Sequence, residues 1–348
     1  VQDELIVQFV AIGLLGSFAQ WLAWRIKVPS ILFLLLIGIV IGPGLGLLKP
    51  DQLFGDALST VISLAVSVIL FEGSLTLHFS EINGLEKIVR RVVTSGILLT
   101  WLLITMATYF FMDFPWPLSF LFGAIVVVTG PTVIIPLLRT VNPNTKIANI
   151  LKWEGILIDP IGALLAVVVF ELIVSSNELT GDLQAIIPSF IRTISLGVSI
   201  GFLTGHLLGY ALKKHWIPDF LHNYVTLSLV FAVFAGTDLI ESEAGLLSVT
   251  VMGLTLANLK GLDMEHILNF KESLSILLIS GLFILLAARL IGYPIYRKTF
   301  ENHFGNMGNR FNLARTFFIK LDSPARHRGS SDLGLVCFQA RTIGFCAS

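Results

Sequence analysis

The sequence predicts an all-α, polytopic membrane protein of about ten spans, on three observations. The chain has 348 residues, 55% hydrophobic and only 13% charged, with a mean hydropathy of +0.85; soluble domains sit near 45–50% apolar and about 25% charged. Apolar runs of roughly 18 residues or more, long enough to cross a bilayer, recur along most of its length. These runs are continuous rather than alternating, so the backbone satisfies itself within helices and not in a closed barrel.

In chain order, the apolar segments fall near residues 6–24, 28–48, 57–77, 89–111, 116–138, 150–174, 187–212, 222–241, 244–259 and 269–289. The first begins at once and is followed by others, so it reads as a span and not as a cleaved leader. The third, in VILFEGSLTLHF, carries Glu72 near its end, beside Gly73. The fifth contains VVVTGPTVIIPLL, where Thr129, Gly130 and Pro131 interrupt a helix in mid-membrane. Such breaks persist where they are buried in protein or line a cavity. The Thr129 hydroxyl and the carbonyl before Pro131 are candidate cation ligands there. The sixth, KWEGILIDPIGALLAVVVFE, carries Glu154 and Asp159, and Pro160 after the aspartate is expected to prevent a regular turn. The seventh bears Gly197, Gly201, Gly205 and Gly209, four apart, a ridge for close helix packing. His206 beside it has no second ligand at matching spacing and reads as a packed side chain. The ninth is short, and the tenth ends on Arg289, expected to snorkel or to pair with an acid.

Cationic residues favour the cytoplasmic side. They gather in the odd connections: Arg25 and Lys27; Lys87, Arg90 and Arg91; Arg139, Lys146 and Lys152; Lys213 and Lys214; Lys260 and Lys271. The even connections hold only Lys49, with Arg192 near the start of the seventh span a mild exception. The N-terminus is therefore expected outside. The net charge is zero and no block of like charge points to nucleic acid. Cys337 and Cys346, both near the end, have no metal-ligand spacing and form no disulfide framework. Neither a Walker loop, a nucleophile elbow nor an HExxH is present, so ATP-driven and hydrolytic chemistry has no support, and no cofactor or enzymatic activity is expected.

Ionisable groups inside a span are costly, about 2.5–3.5 kcal/mol at the helix centre, and mark function by default. Asp159 is the strongest candidate. Carbonyls freed by the neighbouring proline form an oxygen-rich nook suited to a small hard cation, and burial lets the same carboxyl hold a proton instead. A site that takes either a cation or a proton, never both, is the physical basis of exchange. Glu154 precedes it by five residues, about 140° around a helix, so the two share no face. Glu154 is expected to pair with a cation from another helix. Glu72 is a further candidate for holding protons or a cation.

Taken together, VVVTGPTVIIPLLRTVNPNTKIANILKWEGILIDPIGALLAVVVFE resembles the fifth and sixth helices of the Na⁺/H⁺ exchanger type of cation:proton antiporter. Members carry Thr-Asp-Pro on the first helix and Glu-Ser-x-x-Asn-Asp on the second. ILFEGSLTLHF is similar to the family's third-helix segment, and EAGLLSVTVMGLTLAN to its Ser-Gly-x-x-Ala-x-x-x-x-Gly helix. The resemblance covers about residues 6–290. It implies Asp159 as the cation/proton carboxylate, Thr129 at the crossing of broken helices, and Glu154 as a helix-stabilising glutamate that pairs with an arginine on a late helix. Gly130 stands where aspartate is usual and Ile158 where asparagine is usual, so two polar groups of the motif are absent. It further implies an inverted repeat, a homodimer embedded in lipid, and a bacterial inner-membrane location.

On that reading residues 1–290 are the transporter domain, with 88–174 and 269–290 core-like and 6–77 and 187–259 scaffold-like. Residues 291–348 change texture: they are polar and basic, and hold no span-length apolar run. Read one nucleotide out of frame, the codons from Ser323 on permit Pro-Arg-Gly followed by small apolar residues, as in a late family helix. The expectation is a tail that is aberrant or disordered, with the last helices missing or frameshifted. The rival readings are a symporter of related architecture carrying an organic anion, and an inactive remnant of an antiporter.

Overall fold

The computed structural model describes residues 2–112, 114–130, 133–134, 137–138, 141–175, 183–241, 243–260 and 265–292. Residues 293–348 of the expected tail and Pro131 lie outside these residues. The described residues are helical, with no strand among them. In order they form α1 (Gln2–Ile26), α2 (Ser30–Ile39), α3 (Pro50–Phe54), α4 (Ala57–Leu75), α5 (Glu86–Arg91), α6 (Ile97–Met112), α7 (Trp116–Val126), α8 (Thr145–Ser175), α9 (Leu183–Lys213), α10 (His222–Ile240), α11 (Ala244–Ala257) and α12 (Glu265–Gly292).

Among the described residues, six stretches are long and apolar enough to cross a membrane: Leu5–Ile26, Ala57–Leu75, Glu86–Met112, Thr145–Ile173, Phe190–Lys213 and Asp219–Ile240. Ser30–Gly44, Trp116–Val126, Ala244–Ala257 and Leu274–Arg289 are shorter apolar helices. Each falls on one of the apolar segments read from the sequence.

Two π-turns extend helices that the sequence shows as uniform. Val40–Gly44 prolongs α2 and contains Pro43, whose missing N–H cannot join the regular ladder. Val92–Gly96 joins α5 to α6. There the hydroxyls of Thr94 and Ser95 donate to the carbonyls of Arg90 and Arg91, at 2.7 and 2.9 Å, competing with the backbone N–H groups.

Packing divides the helices into two groups. One large core joins α1, α2, α4 and α9–α12 through residues such as Leu34, Leu70, Val249, Met252 and Ile284. Smaller clusters hold α5–α8 together, around Ala124 and Ala166, around Ile97, Val128 and Ile158, and around Trp153 and Ile156, the last also meeting Leu77 after α4 and Leu254 of α11. Residues 269–290, grouped above with 88–174, pack here along α1, α2 and α4.

The glycine ridge on α9 lies against α11. A Cβ at Gly197 would sit 3.1 Å from the Ala244 carbonyl, and one at Gly205 2.9 Å from that of Met252. On the other side of α11, Gly253 lets Phe71 of α4 approach so closely that a Cβ would lie 2.6 Å from its carbonyl oxygen. With little room on either face, the short α11 is held by close backbone contact beside the buried side chains of Val249 and Met252.

Candidate ion site

The fifth span is broken as expected. α7 ends at Val126, Val127 closes its last bond onto the Gly123 carbonyl at 3.0 Å, and Val128–Gly130 are non-helical. Helical turns resume at Val133. The Gly130 carbonyl accepts N–H bonds from both Val133 and Ile134, at 3.2 Å each. The carbonyl before Pro131, a candidate ligand above, thus also starts the next helical turn. The carbonyls of Val128 and Thr129 receive no donor from the described residues, as expected where a helix end leaves its last carbonyls without intrahelical partners.

Across the break runs α8, and it is continuous. Pro160 lies inside an unbroken 31-residue helix, against the expectation of an irregular turn. A proline in a membrane helix removes one backbone bond, and neighbouring segments hold the helix together. Here those neighbours are the two sides of the break. A Cβ at Gly155 would overlap the Ile134 side chain, and one at Gly162 would overlap Val128. The two glycines are seven residues apart, two turns and about 10 Å along one face. Asp159 lies between them, four residues after one and three before the other, on the same strip. The interval between Val128 and Ile134, where the helix is interrupted, therefore faces Asp159. Its side chain is 5% exposed.

Glu154 has a partner that sequence reasoning missed. Thr129 Oγ1 donates to Glu154 Oε1 at 2.9 Å, joining the break to α8. With its proton committed to Glu154, the Thr129 oxygen keeps lone pairs for a cation. The only signal in the sequence was that both residues belong to the same resemblance. The other expected residues lie elsewhere. Glu72, on α4, accepts a hydrogen bond from Ser275 Oγ on α12. Ser275 was also missed; it is buried, as is Ser280 five residues on. α4 in turn touches α8. Arg289 Nε lies 3.2 Å from Asp51 Oδ1 of α3, close enough for ion pairing, although its N–H is not aligned for a hydrogen bond. Arg289 therefore balances an acid at the end of α12. Gly130 is buried. His206 is exposed, its Nδ1 3.1 Å from the Phe202 carbonyl, and no three potential metal ligands gather among the described residues.

The arrangement has a definite chemical capacity. A dry carboxyl on a rigid helix faces an interruption that supplies carbonyl and hydroxyl oxygens. The end of α7 carries the negative pole of its helix dipole, and the helical turn that follows presents a positive one. Broken helices use such paired ends to hold ions at mid-membrane.

The family described as sodium/hydrogen exchanger, transmembrane, matches residues 11–303. The Na(+)/H(+) antiporter 1 of Methanocaldococcus jannaschii is 29% identical over 322 residues, covering 86% of this chain and 71% of that protein. The K(+)/H(+) antiporter NhaP2 of Shewanella baltica is 25% identical over 270 residues, covering 76% of this chain and 46% of its own. Among solved structures, the sodium proton antiporter MjNhaP1 from Methanocaldococcus jannaschii at pH 8 superposes with a TM-score of 0.69 at 24% identity, over 97% of this chain and 85% of that one. An electron-microscopy structure of the same antiporter gives 0.66 at 27% identity, over 81% and 70%.

Proposed function

The chain belongs to the sodium/hydrogen exchanger family of transmembrane proteins, and from that premise we propose that it exchanges Na⁺ or K⁺ for H⁺ across a membrane. The observation that carries the proposal is the buried Asp159, set between Gly155 and Gly162 where α8 faces the helix interruption. Relatives named as Na(+)/H(+) and K(+)/H(+) antiporters support both cations as substrates.

In the proposed cycle Asp159 holds a proton when no cation is present. A cation arriving from one side meets the carboxylate, the Thr129 oxygen and the carbonyls of the break, and the proton leaves. Burial disfavours a bare charge, so the carboxylate is always occupied by one partner or the other. That exclusivity couples the two flows. Thr129 and Glu154 position the break, and Glu72, bonded to Ser275, is a second carboxylate available to the cation. We assign α5–α8 as the moving group, on the ground that two of its three clusters, around Ala124 and Ala166 and around Ile97 and Val128, are separate from the large core. The protein acts as a homodimer in a bacterial inner membrane with its N-terminus outside.

Asp159→Asn tests the site. In everted vesicles the variant is expected to insert at normal levels and to lose cation-dependent proton movement, measured as dye quenching reversed by Na⁺ or K⁺. Exchange at the parent rate in that variant would overturn the assignment.

A further inference from the structure

Lys49 is the one cation in the even-numbered connections, where the charge pattern gives no reason for it. The structure places it, exposed, just ahead of α3. Its ammonium makes no ion pair among the described residues, and the neighbouring acid Asp51 already lies 3.2 Å from Arg289. Lys49 stands at a groove of about 470 Å³ between α1 and the chain that follows α2. Val7, Ala11 and Leu15 form one wall, a strip at every fourth residue of α1, and Ile41, Leu47 and Leu48 form the other. The second wall is fixed by its own backbone: the N–H groups of Leu47 and Leu48 both donate to the Ile41 carbonyl at 3.0 Å. At 3.4 Å the Lys49 N–H donates to Gln8 Oε1, tying the two walls together near the polar end. Gln8 keeps its amide N–H donors, and Gln52 adds its own amide beside them.

The groove lies along a membrane span, Leu5–Ile26. From Val7 to Leu15 is about 12 Å of helix, within one half of a hydrocarbon core about 30 Å thick. It therefore opens to lipid along its length, while its polar end sits at headgroup level. An apolar channel of leaflet depth, ending in an uncompensated ammonium and amide donors, is complementary to an acyl chain joined to a phosphate. We propose that this groove binds one glycerophospholipid with an anionic headgroup, its acyl chain along Val7, Ala11 and Leu15 and its phosphate against Lys49 and Gln8. A zwitterionic lipid fills the channel equally but brings its own cation to the ammonium, so the anionic headgroup is preferred.

The test uses the full chain purified in mild detergent, with its apparent Tm measured on adding phosphatidylglycerol or phosphatidylcholine. The parent protein is expected to gain several degrees from phosphatidylglycerol and much less from phosphatidylcholine. Lys49→Gln, at an exposed position, is expected to keep the lipid-free Tm and lose most of the phosphatidylglycerol gain. Ala11→Phe, which fills the channel, is expected to lose the gain from both lipids. Native mass spectrometry should retain one phosphatidylglycerol per parent chain and none on Lys49→Gln. A full gain in Lys49→Gln, or equal gains from both lipids, overturns the proposal. So does a Tm that follows protein concentration and ignores lipid, since a second copy would then occupy the groove. If Ala11→Phe fails to fold, Lys49→Gln alone decides.

Discussion

The bond from Thr129 to Glu154 ties the break to α8 through side chains. Hydrogen bonds to charged groups contribute about 1.5–3 kcal/mol, enough to decide where the break sits. Thr129→Val keeps the shape and removes the donor, leaving the half-buried Glu154 without it. Exchange in vesicles is expected to fall at least ~10-fold at equal protein level, while Thr129→Ser, which keeps the hydroxyl, stays near the parent. Equal loss in both variants would show that the methyl group matters and the bond does not. A second residue sets a pH dependence of stability. Glu243, in the tight turn between α10 and α11, adopts a left-handed backbone at φ 68 and is 8% exposed. Its N–H donates to Asp238 Oδ1 at 2.9 Å. Burial, and secondly the Asp238 charge, push the Glu243 carboxyl up to about 7 from the ordinary 4.5. The folded protein therefore binds more protons than the unfolded chain between those values. Its stability is greatest below the unfolded value, falls as pH rises toward about 7 and then levels off. The full difference is on the order of 3–4 kcal/mol. Glu243→Gln removes the slope: its apparent Tm should exceed the parent's at pH 8 and match it near pH 4.5. Parallel Tm curves for the two proteins would refute the shift.

At the scale of elements, the crossing of α7 and α8 depends on absent side chains. Gly162 admits Val128, and an added methyl would overlap it. Gly162→Ala is expected to reduce the yield of folded protein in size-exclusion chromatography, and Val128→Ala on the same chain to restore it, because the obstruction is one branched side chain and not backbone. Failure of the rescue would place the cost elsewhere. What the sequence disclosed at this scale follows from which forces are local. The break at Thr129-Gly130-Pro131 and the ridge at Gly197, Gly201 and Gly205 were legible, because glycine and proline act on their own backbone or on the nearest helix. The π-turn at Val92–Gly96 was not, since it arises from two hydroxyls competing for carbonyls that a regular helix would also use. Pro160 misled for the converse reason. Its local cost is real, but packing on both sides of the break outweighs one lost bond in α8. The contact between Glu72 and Ser275 spans 203 residues of sequence, and no local pattern could supply it.

Over the whole molecule, lipid makes orientation a matter of charge. The large core and the smaller clusters of α5–α8 consist of apolar residues that carry no information about inside and outside. Only the connections do, and cations are retained on the cytoplasmic side of a span. Lys87, Arg90 and Arg91 stand together ahead of α6, and Lys213 and Lys214 close α9, whereas Asp56 lies at the opposite ends of the spans, between α3 and α4. The two clusters and Asp56 must therefore face opposite solutions if the alternation governs insertion. Three single-cysteine proteins test this after Cys337 and Cys346 are replaced: Asp56→Cys, Lys87→Cys and Lys214→Cys, all at exposed positions. A membrane-impermeant maleimide should label the first in intact cells, and the second and third only in everted vesicles. Labelling of Lys87→Cys in intact cells would invert the whole molecule. Labelling of Lys87→Cys and Lys214→Cys from different sides would mean an odd number of crossings between α5 and the end of α9, and would break the pairing of spans on which the assignment of one moving helix group rests.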